Sequence, residues 1–239
     1  KILTGKTLYD SAAINEDAGW ILPVTTAVMQ NLQTPVSKKT GSMSYHVGGF
    51  YLLRERDTFT FIRCGNHKDR PAHADNLHID IWKNGKNVLR DSGTYKYNTE
   101  KELQDYFTGS ESHNTVMVEN HSQMLKGSRF IWYYWSQALS AKWTETHDGY
   151  VFEGAVNAFK FLNDKAVHKR KVVKKKNEPV WLITDTIENL PGKTKKQIWH
   201  YNDAAVSFAA EISGLPVSGT TITAYNYDYS GIKEKRSEE

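Results

Sequence analysis

The chain has 239 residues, of which 39% are hydrophobic, and its formal net charge is +4. This length suffices for one large domain or two small ones with a core. The single cysteine, Cys64, excludes an internal disulfide, and no apolar run reaches the roughly eighteen residues of a membrane-spanning helix. The sequence also lacks a glycine-rich phosphate loop, a Gly-x-Ser-x-Gly elbow and a His-Glu-x-x-His helix, which argues against nucleotide chemistry and serine hydrolysis.

The patterning divides the chain into three segments. Residues 1–45 have no clear period and are predicted to be a linker and the start of a domain, with an exposed loop over Gln33–Ser44. Residues 46–232 are predicted to form one domain of short strands, separated by turn signals about every eight to twelve residues. Residues 233–239, KEKRSEE, are predicted to be a charged tail.

Most of the domain alternates apolar and polar residues with the period of a β-strand, and no repeat of constant period indicates a propeller. Thr99 and Glu102 have the spacing of a capping box, which predicts a short helix over Glu100–Phe107. The fold class predicted is therefore all-β, a large antiparallel β-sandwich with one or two short helices. The predicted strands are Phe50–Leu53, Thr58–Arg63, Leu77–Trp82, Lys86–Arg90, Thr115–Val118, Arg129–Trp135, Ala138–Glu145, Tyr150–Val156, one within Lys165–Lys176, Val180–Ile187 and Lys196–Tyr201.

Two of these strands form a predicted hairpin. In Leu77–Trp82 an apolar face alternates with a face that carries His78 and Asp80. Asn84-Gly85 supplies two residues that tolerate positive φ, and Lys86–Arg90 returns as the antiparallel partner.

Candidate metal ligands lie at one end of this hairpin. His73 precedes the first strand and Asp91 follows the second, so antiparallel pairing brings them together. His113, just before the next predicted strand, is positioned to join them. Two imidazoles and a carboxylate are a ligand set that Zn²⁺ accepts, with a fourth position left for water or substrate.

A simpler interpretation stays open for the same residues. His73 and His113 can bond to backbone groups while Asp91 caps its own turn, because the tight spacing of a zinc finger is absent. Asp75 is predicted to orient His73 or to cap a turn. Asp75 and Asp80 are separated by an odd number of positions, which argues against a glycosidase acid pair on one strand face.

The stretch Lys165–Lys176, KAVHKRKVVKKK, concentrates basic side chains. It is compatible with a nucleic-acid patch or with attraction to an acidic polysaccharide. The valines at 167, 172 and 173 favour a third interpretation, a strand whose lysines face water. Cys64 ends an alternating strand and is predicted to pack as a small hydrophobe.

A resemblance to a known family adds to this interpretation. The strings RCG, RPAHADNLHIDIW, DSGTYKYN and SHNTV, with weaker similarity at HKRKV and VWLITDTI, resemble the C-terminal β-domain of the heparinase II/III-like polysaccharide lyases. The resemblance runs from about Gly48 to Val118 and implies a sandwich of the supersandwich type. It places the family's zinc ligands on His73, Asp91 and His113. One departure is Pro71, where many members have a histidine associated with the reaction centre.

The resemblance implies a function for the parent protein. It would be a bacterial lyase that cleaves a uronate-containing, glycosaminoglycan- or alginate-like polysaccharide by β-elimination, with a structural Zn²⁺ beside the cleft. A preceding helical toroid would be the partner domain and supply most of the acting residues, so this fragment is predicted to be inactive alone. The expected location is periplasmic, extracellular or on the cell surface, and no nucleic-acid partner is expected.

Two tyrosines are candidates for a supporting catalytic role, since a tyrosine of lowered pKa can act as base and acid. They are Tyr106, on the predicted helix, and Tyr95; each is alternatively a hydrogen-bonding wall. The rival function is a non-catalytic carbohydrate-binding or structural sandwich in a cell-surface or exopolysaccharide system, which Pro71 favours.

Overall fold

Antiparallel sheets are the main regular structure of the described residues, which are 39–96, 98–201 and, for the backbone, Thr223–Tyr227 and Lys233–Ser237 of a computed structural model. In chain order the strands are β1 (Gly41–Tyr45), β2 (Phe50–Arg54), β3 (Thr58–Arg63), β4 (Ile79–Lys83), β5 (Lys86–Leu89), β6 (Val116–Val118), β7 (Leu125–Lys126), β8 (Trp132–Tyr133), β9 (Gln137–Glu145), β10 (Gly149–Asn157), β11 (Val167–Lys175), β12 (Trp181–Glu188), β13 (Lys195–Gln197), β14 (Thr223–Tyr227) and β15 (Lys233–Ser237). One helix, α1 (Lys101–Thr108), and a 3₁₀ turn (Ser110–Ser112) lie between β5 and β6.

Two meanders form the sandwich. The first sheet has five strands in the order β1-β2-β3-β4-β5, and the second has four in the order β12-β11-β10-β9. Ile62 and Ile79 of the first sheet and Phe152 and Val172 of the second belong to one hydrophobic cluster and are fully buried. The all-β sandwich with a short helix is therefore confirmed.

Local chemistry explains the hairpin that leads to the candidate site. Asn84 and Gly85 both have positive φ, 50° and 77°, as the two-residue turn between β4 and β5 requires.

Cys64 lies in the hydrophobic cluster and is 1% exposed, and burial raises the pKa of its thiol to about 12. Its predicted role as a packed hydrophobe is confirmed. Among the described residues, no helix is long and apolar enough to cross a membrane.

Several predictions about single elements are wrong. The aromatic stretch Arg129–Trp135 is mostly loop, with only β8 extended, because Arg129 and Tyr134 take left-handed backbone angles. The helix forms, but Glu100 is its N-cap, with no side-chain capping bond. Thr99 donates to the Glu100 carboxylate instead, so the capping box is absent.

The basic stretch forms a strand whose cations face both ways. Val172 points inward on β11, but so do Arg170 and Lys174, which are 1% and 0% exposed. Lysines 169, 171 and 175 do face solvent. The predicted strand therefore forms with three lysines facing water, but two of its cations lie on the buried side.

Strands also lie in the two segments outside the predicted domain. Gly41–Tyr45 is a strand within the predicted linker and loop, while residues 1–38 lie outside the described part. The backbone of Lys233–Ser237, in the predicted charged tail, pairs with Thr223–Tyr227. The proposed boundaries at 46 and 232 stay predictions.

A close approach of backbones explains one glycine of the first sheet. Gly49 has φ +68°, and a Cβ there would lie 2.3 Å from Gly65 Cα and 2.8 Å from Cys64 O.

We expect Gly85→Ala, at φ +77° in open space, to cost about 1–2 kcal/mol of unfolding free energy for the left-handed conformation. Gly49→Ala should cost clearly more, because the backbone must also move. Urea unfolding measures both, and equal losses would contradict the close approach.

Candidate metal centre

Three segments converge beside the hairpin. His73 precedes β4, Asp91 follows β5, and His113 follows the 3₁₀ turn that ends at Ser112. His73 Nδ1 lies 3.2 Å from His113 Nε2, and His113 Nδ1 lies 2.5 Å from Asp91 Oδ2. The structure thus brings together all three residues that the sequence selected.

Asp91 combines two roles that were treated as alternatives. Its Oδ1 accepts the backbone N–H of Gly93 at 2.7 Å, which is the expected turn cap. Its Oδ2 meets His113. Burial alone would raise the pKa of Asp91. The effect of His113, His78 and the Gly93 hydrogen bond is larger and opposite, and it holds the pKa of this carboxyl well below its usual range. The carboxylate is therefore ionised at neutral pH, as metal binding requires.

The electrostatics of His73 also suit a ligand. Burial and the facing His113 ring lower the pKa of His73, while the nearby Asp75 and Asp91 carboxylates oppose that shift. A neutral imidazole keeps a lone pair for a metal. His73 and His113 bond to one another through their rings, so their side chains do not have the purely backbone partners of the simpler interpretation.

A third histidine, His78, also lies in the cluster. One donor atom each from His78, Asp91 and His113 fall within 4.8 Å of one another, and His78 is 3% exposed. Sequence alternation placed His78 on a polar strand face. The structure turns it inward because Leu77 has φ 62°, which breaks the alternation just before β4.

The hydrogen bonds of His78 argue against a ligand role. Its Nδ1 accepts the backbone N–H of Asn114 at 3.0 Å, and its Nε2 lies 3.2 Å from Asp80 Oδ1. Burial lowers the pKa of His78, but Asp80 and Asp91 outweigh this and raise it. The bond from Asn114 still requires a free lone pair on Nδ1, so the proton resides on Nε2, facing Asp80. Both ring nitrogens of His78 therefore already have hydrogen-bond partners.

The donor set fits Zn²⁺. Two nitrogens of different imidazoles face each other at 3.2 Å, a separation close to that of neighbouring ligands about 2.0–2.2 Å from one ion. An ionised carboxylate lies on the second nitrogen of His113. Asp91 lies on the ring nitrogen of His113 that points away from His73, and the donor atoms that fall within 4.8 Å of one another belong to His78, Asp91 and His113. For Asp91 to share an ion with both His73 and His113, its carboxylate must turn away from His113 Nδ1, so the assignment of ligands stays a prediction.

The rings of both predicted catalytic tyrosines pack against Phe107, but their other surroundings differ. Tyr106 is 8% exposed, and its hydroxyl lies 3.5 Å from His200 Nε2. It also lines a cavity of about 580 Å³ together with Trp132, Phe161 and Glu111. Tyr95 is half-buried, has φ 63° and stacks on Phe107 at 5.4 Å between ring centroids.

Asp75 pairs with a residue that the sequence did not suggest. Its Oδ2 lies 3.8 Å from Arg63 Nε, and its carbonyl accepts the N–H of His78. Sequence reasoning also missed Asn114, which donates to His78 and whose side chain reaches the carbonyls of Ile79 and Arg90. Its position directly after His113 in SHNTV was the available signal.

The chain matches one family model over most of its length. The model described as "Heparinase II/III-like, C-terminal" matches residues 37–225. No curated protein sequence matches the chain.

Solved structures share the fold at low identity. A heparinase III with methylated lysines has a TM-score of 0.68 and 16% identity over 94% of this chain and 37% of that chain. The heparan sulfate lyase HepC from Pedobacter heparinus has a TM-score of 0.52 and 17% identity over 72% of this chain and 27% of that chain. The chain thus spans only about a third of the length of these proteins.

Proposed function

This chain belongs to the heparinase II/III-like family, and from that premise we propose that it is the β-sandwich part of a polysaccharide lyase. The substrate would be a uronate-containing polysaccharide of the glycosaminoglycan or alginate kind. The observation that supports this most is the convergence of His73, Asp91 and His113 in a sandwich of this family. A bacterial periplasmic, extracellular or cell-surface location belongs to the same proposal.

The proposed reaction is β-elimination. A base removes the proton α to the uronate carboxylate, the electron pair forms a carbon–carbon double bond, and the glycosidic oxygen leaves as an acid protonates it. We assign the base and acid mainly to a helical domain of the longer parent protein. In this proposal, the present chain forms one wall of the substrate cleft of the parent protein.

The metal centre has a structural role in this proposal. Bound Zn²⁺ would supply positive charge that ties the three converging segments together. His73, Asp91 and His113 would hold it once the Asp91 carboxylate, which accepts from His113 Nδ1 in this structure, turns toward the ion. The segment after His113 leads into β6, so fixing His113 also fixes the start of that strand.

The test uses the parent protein with heparan, alginate and related polymers. A lyase releases an unsaturated uronate, which absorbs in the ultraviolet, and the absorbance should rise with at least one polymer. This chain alone should give no absorbance. A parent protein that produces none with any uronate polymer would overturn the proposal.

One observation favours a second candidate, a non-catalytic carbohydrate-binding or structural sandwich. Pro71, where relatives are expected to carry a reaction-centre histidine, is buried and has no group that can transfer a proton. Measurable binding of polysaccharide by the parent protein, together with no ultraviolet product, would favour this candidate.

Tyr106→Phe tests the supporting role of that tyrosine. The substitution removes a hydroxyl that faces His200 at 3.5 Å, and general acid–base groups contribute about 10²–10⁴-fold. For a supporting residue we expect the lower end, about a hundredfold in kcat of the parent protein, with stability lowered by about 1 kcal/mol. Tyr95→Phe tests the other candidate in the same assay, and an unchanged rate would remove Tyr95 from the mechanism. An unchanged rate for Tyr106→Phe would remove it from the mechanism.

A further inference from the structure

A single buried arginine touches two of the segments that form the metal centre. Arg170, on β11, donates through Nη1 to the carbonyls of Leu77 and Asn114, both at 2.7 Å. Leu77 directly precedes His78, and Asn114 directly follows His113. The guanidinium therefore links the second sheet to the backbone on both sides of the site.

The same guanidinium is fixed in place from its other side. Its Nε and Nη2 donate to the two oxygens of Asp185 on β12, each at 2.8 Å. The Trp199 ring lies 5.3 Å from Cζ. A planar fork held by two parallel bonds has little freedom, so the direction of Nη1 toward the two carbonyls is fixed by the fold.

Asn114 passes this constraint to the rest of the centre. Its side-chain amide donates to the carbonyls of Ile79 at 2.9 Å and Arg90 at 3.1 Å. Arg90 directly precedes Asp91, and Asn114 accepts the N–H of His200 at 2.6 Å. The residue held by Arg170 thus binds both strands of the hairpin that carries the ligands.

We infer that Arg170, fixed by Asp185, is the positioning residue of the metal centre, holding the backbone at Asn114 so that His113 faces His73 and Asp91. This inference rests on the proposed Zn²⁺ site. A metal gains affinity when its ligands are already arranged, and groups that orient ligands are typically worth 10–100-fold in metal affinity. Arg170 acts through Asn114 and touches no ligand side chain.

The chain provides a matched control on the same strand. Lys174 is also fully buried on β11 and pairs with Glu55, which lies between β2 and β3. Its other hydrogen bond is to the carbonyl of Lys175. Removing either cation leaves a carboxylate without its buried partner, so both substitutions are expected to lower stability, with the smaller loss at Lys174 because Glu55 also accepts from Thr58 and Asn177. Only Arg170 contacts the segments of the metal centre.

The experiment measures Zn²⁺ affinity by competition with a chromophoric chelator and records the visible spectrum of the Co²⁺-substituted chain. Arg170→Lys keeps the charge but cannot serve Asp185 and both carbonyls at once; we expect Zn²⁺ affinity to fall 10–100-fold and the Co²⁺ bands to shift. Arg170→Met should lose at least as much, while Lys174→Met keeps the wild-type affinity and spectrum despite its lower stability.

The outcomes separate the two levels of the proposal. Wild-type affinity and spectrum in Arg170→Lys would overturn the positioning role while leaving the metal site intact. Equal losses in the Arg170 and Lys174 variants would overturn it too, since the effect would follow stability alone. A wild-type chain that binds neither Zn²⁺ nor Co²⁺ would overturn the metal site itself.

Discussion

Removing Zn²⁺ from the proposed metal centre with a chelator is expected to lower the melting temperature of the chain by about 8–16 °C. A ligand present at about a thousand times its Kd stabilises the folded state by about 4 kcal/mol. In a domain of about 150–250 residues, each 1 kcal/mol corresponds to about 2–4 °C. The measurement is a thermal scan with and without chelator, and readdition of Zn²⁺ should restore the starting value. An unchanged melting temperature would contradict a structural metal.

Single substitutions then decide which histidines hold the ion. His73→Ala and His113→Ala should each abolish the response to chelator, because each removes one of two nitrogens that face each other at 3.2 Å. His78→Asn is the control, since its side-chain oxygen can still accept from Asn114 N–H. It should keep the response. Loss of the response in His78→Asn with its retention in His73→Ala would assign the ion to His78, Asp91 and His113 instead.

The parts of the site that could be predicted are those set by local geometry. Pairing of two neighbouring strands through Asn84-Gly85 is a short-range event, and it places His73 and Asp91 at one end of the hairpin whatever the rest of the chain does. His113 is forty positions beyond His73. Spacing indicated that it could join them, and the family resemblance selected it.

The parts that could not be predicted depend on tertiary contacts. Nothing in the local pattern shows that Leu77 adopts a left-handed conformation and so turns His78 inward. In the same way, a run of basic residues gives no sign that Arg170 is buried. Its partners Leu77, Asn114 and Asp185 come from three separate elements, and burial of a cation is favourable only once they have assembled.

The buried pair of Arg170 and Asp185 gives the second large effect. We expect Asp185→Asn to lower the free energy of unfolding at pH 7 by about 3–5 kcal/mol, because it leaves a buried guanidinium without its counter-charge. The two side chains have nearly the same shape, so no cavity contributes. Glu188→Gln on the same strand is the control. Glu188 pairs with Lys169 at 2.6 Å but both are exposed, and such pairs contribute about 0–1 kcal/mol.

The gap in unfolding free energy between wild type and Asp185→Asn should itself depend on pH. Burial raises the pKa of Asp185, but Arg170 and His168 lower it more, so the folded value lies well below the usual range. A depressed carboxyl pKa stabilises the fold above the unfolded value of about 3.9, and that stability is lost as pH falls below it. The gap should therefore be constant from pH 5 to 7 and narrow by about 1.4 kcal/mol per pH unit below about pH 4. Urea unfolding at a series of pH values measures it, and a gap that stays constant down to pH 2 would show that the charge of Asp185 is not what holds Arg170 in the core.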